Sequence, residues 1–124
     1  MRAIRSKGTK PENIVRRLAH SLGYRFRLHR KDLPGKPDMV FPGRKAVIFI
    51  HGCFWHQHPD PDCKDSHFPK SNIDYWQPKL LRNQTRDSEH EAALQDKGWR
   101  VLVIWECQTK DESVIKQSLL AFLG

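Results

Sequence analysis

The chain has no apolar run approaching the ~20 residues that a membrane-spanning helix needs. Its opening residues, MRAIRSKGTK, hold no apolar stretch of the secretory kind. A cytoplasmic protein is therefore expected. Cysteine is scarce: three in 124 residues, an odd number that suits a disulfide scaffold poorly and metal ligation or reduced thiols better. Internal repeats and low-complexity linkers are absent, and the length suits one domain over residues 1–124. Acidic residues are in deficit: 14 Asp and Glu stand against 22 Lys and Arg, for a net charge of +8. Thirteen of the basic residues fall before position 46, where only Glu12, Asp32 and Asp38 oppose them. Such lopsided charge favours a polyanionic partner and offers it one half of the molecule.

What is present has legible periods. Ile14, Val15, Leu18, Ala19 and Leu22 recur at helical spacing, with Thr9 as a cap, Pro11 in the first turn and Gly23 as the stop. Tyr24, Phe26 and Leu28 then alternate with Arg25, Arg27 and His29, the period of a strand with one basic face. After the turn DLPGKP, Asp38 to Phe41 resumes as a strand, and a turn at Pro42-Gly43 leads into the continuous apolar run Ala46 to Ile50, which reads as a central strand. Ser71 to Gly98 is helical, in two pieces if Pro78 breaks it. Val101 to Trp105 reads as another buried strand and Asp111 to Leu123 as a terminal amphipathic helix. The order αβββαβα predicts a three-stranded meander joined through a helical crossover to a fourth strand, giving a mixed sheet flanked by helices.

The chemistry concentrates in HGCFWHQHPDPDC, His51 to Cys63. Cys53, His58 and Cys63 stand at even spacing in this loop, and Cys107 follows the last strand. Together they form a Cys3His set of the kind that closes around structural zinc; the alternative is reduced cysteines. His51, His56 and His67 remain candidates for proton transfer, since imidazole titrates near neutrality. Asp38, ending a Gly-Lys-Pro-Asp turn beside the strand that carries His51, could hold Mg2+ or merely stabilise its turn. Phe54, Trp55 and Trp76 suit either the core or a wedge between base pairs.

PGKPDMVF, AVIFIHGCFWHQH and WRVLVIWEC together resemble the very short patch repair endonucleases, over nearly the whole chain. That family nicks one DNA strand 5′ of the T in a T:G mismatch. The resemblance implies a restriction-endonuclease-like αβββαβ core with a zinc-stabilised loop. It implies Mg2+ on Asp38 and the main-chain carbonyl of Ile50, with Glu12 supporting the surrounding water. His56 matches the general base and His51 a histidine near the scissile phosphate and leaving group. Cys53, His58, Cys63 and Cys107 match the zinc ligands. Phe54, Trp55, Trp76 and Met1 match residues inserted beside the mismatch. The implied partner is mismatched double-stranded DNA, met by a monomer that works with mismatch-repair proteins. Two departures stand out. A restriction-type core places a second acid and a lysine after the Pro-Asp strand, where this chain reads Val47-Ile-Phe-Ile-His51. The family also carries a DNA-gripping stretch before MRAI, so a truncated start or a weaker grip is expected. The competing expectations are a zinc-stabilised DNA-binding domain without catalysis and a nuclease of different DNA specificity.

Overall fold

The computed structural model describes residues 10–28, 30–56 and 70–124. Among them, helix α1 (Lys10–Ser21) leads to strand β1 (Arg27–Leu28), strand β2 (Met39–Phe41) and strand β3 (Ala46–His51). A single turn of helix, α2 (Cys53–His56), follows β3 directly. Helix α3 (Ile73–Asp96), strand β4 (Arg100–Trp105) and helix α4 (Glu112–Leu123) complete the order. The strands form one mixed sheet in the order β1-β2-β3-β4, antiparallel except for the parallel pair β3 and β4. The expected meander and helical crossover are both present.

The period of two along β3 explains the layers. Ala46 and Ile48 face a core shared with Val15, Leu18, Ile115 and Leu119 of α1 and α4. Val47 and Phe49 face the opposite way, toward Leu94 of α3 and Trp99. Each fully buried aliphatic side chain of this set contributes roughly 1.5–3 kcal/mol. Continuing the alternation sends His51 to the α3 side, and the parallel register sets it beside Trp105 at the carboxyl ends of both strands. Parallel strands habitually present ligand sites at that end.

Three local expectations are corrected. The first strand contracts to Arg27–Leu28, and Asp38 lies just before β2 instead of opening it. Helix α3 is continuous through Pro78. Proline early in a helix forfeits a hydrogen bond without ending it when the helix packs along one face, and here Trp76, Leu80, Asn83, Asp87, His90 and Leu94 recur at intervals of three and four on the more buried side. Strand β4 is an edge strand, and most of it is only half-buried.

The turn before Asp38 is fixed by backbone chemistry. Gly35 (φ +76°) and Lys36 (φ +51°) are both left-handed, a conformation glycine adopts at no steric cost and lysine adopts rarely. A Cβ on Gly35 would stand 2.9 Å from His90 of α3. Gly35→Ala is therefore expected to lower stability by roughly 2–4 kcal/mol, from the left-handed penalty plus overlap. A denaturant midpoint unchanged from wild type would show that the turn has an easy way out.

Candidate active site

A cleft of about 310 Å3 opens at the carboxyl end of β3. One wall is the turn with Gly35, Lys36 and Asp38; the other is α3 with Arg86, Asp87, His90 and Glu91; His51 and His56 lie between them.

Asp38 is placed by the sheet. Its Oδ2 accepts a hydrogen bond from the Ile50 N–H at 2.7 Å, which locks the carboxylate against the last turn of the meander. Burial pushes its pKa up to about 7, with the Ile50 N–H pulling down and the Glu12 carboxyl, in hydrogen-bond contact, pushing further up. Arg16 donates to Glu12 at 3.3 Å and only partly offsets the crowding. Two carboxyl groups sharing one buried place are short of positive charge. That donor set fits a hard divalent cation, which would take the place of the shared proton.

The second group was only half legible in the sequence. His56 ends α2, and its Nδ1 stands 2.5 Å from Oδ2 of Asp87, on the inward face of α3. A carboxylate only accepts, so in the neutral ring the proton sits on Nδ1 and Nε2 keeps its lone pair. Asp87 was missed because an acid in a helix reads as a solvated residue. Its one sequence signal is its place in the run of buried positions between Leu80 and Leu94. The ring of His51 stacks on His56 at 3.8 Å and 7°, and Trp105 packs edge-on against it at 5.2 Å. Burial, and then the neighbouring His56, push the His51 pKa down to about 4, with Asp87 opposing. His51 is thus neutral at physiological pH, and its buried Nδ1 has no hydrogen-bond partner among the described residues. Nitrogen and oxygen donors of His51, His56 and Asp87 lie within 4.8 Å of one another. Rings stacked face to face aim their lone pairs along parallel planes and not at one point, so this set suits proton handling better than a shared ion.

These shifts oppose one another in stability. The folded protein holds the Asp38 proton up to about pH 7 while the unfolded chain loses it near 4, so this group makes stability fall as pH rises between those values. His51 takes up a proton near pH 4 when folded and near 6.5 when unfolded, so it makes stability rise over that window. Without metal, Asp38→Asn should steepen the rise of stability with pH between about 4.5 and 6.5 by up to ~1.4 kcal/mol per pH unit relative to wild type. Parallel pH profiles of chemical denaturation for the two proteins would contradict the Asp38 shift.

Cys53 is buried at the start of α2, and Cys107 is half-buried after β4. Each lies two residues beyond the paired His51 and Trp105, so both thiols come from matching places on adjacent parallel strands. The other two expected zinc ligands, His58 and Cys63, lie outside the described residues, as do His67, Met1 and the side chains of Phe54 and Trp55. Trp76 is half-buried near the start of α3, its ring edge-on to the exposed Tyr75 at 5.0 Å.

Residues 1–64 match the family model described as DNA mismatch endonuclease Vsr. The chain belongs to the Vsr family. It is an endonuclease. Over 119 residues it is 55% identical to the type II nicking enzyme V.XorIIP of Xanthomonas oryzae pv. oryzae, covering 96% of this chain and 85% of that protein. It is 43% identical to the type II nicking enzyme V.NmeAIP of Neisseria meningitidis serogroup A, covering 96% and 83%. Against the DNA mismatch endonuclease Vsr of Escherichia coli K12, identity is 37% over 97% of this chain and 75% of that protein. No described helix is long and apolar enough to cross a membrane.

Proposed function

We propose that this Vsr-family chain is a Mg2+-dependent endonuclease that hydrolyses one phosphodiester bond 5′ of the T in a T:G mismatch. It would act in the cytoplasm as a single-domain monomer with a restriction-endonuclease-like core, alongside mismatch-repair proteins. The observation that carries this is the cleft itself. It sets Asp38, whose carboxyl is crowded by Glu12 behind it, in one cleft with a histidine oriented by its own carboxylate, His56 with Asp87.

Asp38, with the Ile50 carbonyl and Glu12 in support, would hold Mg2+. Bound there, the ion supplies positive charge against the phosphate and makes nearby water more acidic. His56 takes the proton of the attacking water at Nε2, and Asp87 steadies the imidazolium that results. His51, neutral and buried, hydrogen-bonds to the departing oxygen or its water instead of arriving as a charged acid. Phe54, Trp55, Trp76 and Met1 would wedge beside the mismatch, where a wobble pair is easier to unstack than a normal one.

Zinc on Cys53, His58, Cys63 and Cys107 would tie the loop after α2 to the end of β4. The matched positions of Cys53 and Cys107 support this. Cys107→Ser should lower zinc content and stability together, by on the order of 3 kcal/mol, a fraction of what structural zinc contributes. A zinc-replete variant of unchanged melting temperature would remove Cys107 from the ligand set.

The deciding assay is nicking of end-labelled duplexes that differ only in one T:G or T:A pair, with Mg2+ or EDTA. One nick beside the T, seen only with the mismatch and Mg2+, is the expected result. Cutting of both duplexes alike would reject mismatch specificity, and cutting in EDTA would reject the metal.

A further inference from the structure

The cleft presents a charge problem that the proposed chemistry leaves unsolved. A phosphodiester entering it meets the carboxyl groups of Asp38, Asp87 and Glu91. One ion at Asp38 answers only the nearer wall. The lysine that a restriction-type core would set after the Pro-Asp strand is missing, since that strand runs Val47-Ile-Phe-Ile-His51.

Two cations do line the cleft, and they come from opposite walls: Lys36 from the turn and Arg86 from α3. Both side chains are exposed, and neither makes an ion pair among the described residues. Several other arginines are engaged, Arg17 with Glu112, Arg30 with Asp32, and Arg44 and Arg100 with carbonyls at the end of α4, whereas Arg25, Arg27 and Arg82 make no ion pair among the described residues but do not line the cleft. Neither cation is tied to a carboxylate among the described residues, so both are available to a phosphate oxygen. The backbone supports the same reading. Lys36 is held left-handed, and strain of that sort in a non-glycine residue tends to mark a functional site. The preceding Gly35 lies so close to His90 that no Cβ fits between them. The turn bearing Lys36 is thereby seated on the helical turn next to Arg86, which fixes the spacing of the two backbones that carry the cations.

We propose that Lys36 and Arg86 form a two-sided clamp on the phosphates of the strand being cut, one cation from each wall of the cleft. Lys36 acts as a point charge, and Arg86 presents its planar fork to two phosphate oxygens. The clamp offsets the three carboxyl groups and holds the strand between Asp38 and His56. The assignment rests on the nuclease reading above, but its test does not depend on cleavage.

The experiment measures duplex affinity as a function of salt for wild type, Lys36→Gln, Arg86→Gln and the double variant, with Mg2+ omitted so that no strand is cut. Each lost phosphate contact should flatten the slope of log affinity against log salt by about 0.9, and the pair by about twice that. With Mg2+, each single variant should raise KM about tenfold. Lys36→Arg should restore both slope and KM, whereas Arg86→Lys should restore the slope and only part of the affinity. Melting temperatures should stay at the wild-type value, because both side chains are exposed. A slope unchanged in the double variant overturns the clamp, whether or not the wild type nicks. A wild type that binds duplex without nicking it rejects the function while the slope still decides the clamp, and a wild type that binds no duplex rejects both.

Discussion

Asp38→Ala should abolish nicking, by about a thousandfold or more, because several kcal/mol of charge stabilisation at the phosphate leave with the carboxylate. Folding should survive. Asp38 is a buried acid that burial and Glu12 make costly to ionise, so above pH 7 its removal relieves strain, while the lost hydrogen bond from the Ile50 N–H costs roughly 1 kcal/mol in return. Duplex affinity in EDTA should change little. The measurement is single-turnover nicking with excess enzyme, which separates chemistry from binding. A variant within tenfold of wild type would remove Asp38 from the reaction.

His56→Ala should slow the same step by about 10²–10⁴, the usual contribution of a positioned general base. Asp87→Asn should follow it with a smaller loss, about 10- to 100-fold. The asparagine amide can offer either an acceptor or a donor to Nδ1, and the donor leaves the lone pair on the wrong nitrogen. Because the two residues act as one unit, the double variant should be no slower than His56→Ala alone. Losses that multiply would mean that Asp87 works independently of His56, for instance on the ion. The contact that decides this is the 2.5 Å approach of Nδ1 to the carboxylate.

The fold was readable because its elements carry strong periods. The apolar run of β3 is not easily mistaken, and the topology follows once one helix must cross between parallel strands, although the alternation from Tyr24 to His29 yields only Arg27–Leu28 as strand. The misjudged parts were those in which tertiary packing overrode local preference. Pro78 interrupts a pattern but not a helix whose inward face runs on to Leu94. Val101 to Val103 look like interior residues yet lie on an edge strand. In the site, Asp38, Glu12, His51 and His56 were legible from residue type and from the family signature, and the structure brings them together. Asp87, Lys36 and Arg86 were not. Their chemistry depends on α3 lying across a turn some 50 positions earlier in the chain, and no sequence period reports that juxtaposition. Of the aromatics expected to wedge beside the mismatch, Trp76 is described, half-buried, beside Tyr75.

The parallel pairing of Ala46 with Arg100 joins positions 54 apart, whereas Asp38 and Ile50 meet across a local hairpin. Contacts of short separation close early in folding and those of long separation late. Asp38 is thus in place while the chain is still forming, but His56 gains its orienting carboxylate, Asp87, only when α3 docks. A nascent or partly unfolded molecule would have the Asp38 side of the cleft without the contact that orients His56. For an endonuclease, that order of assembly leaves a partly folded chain without its complete set of cleft residues.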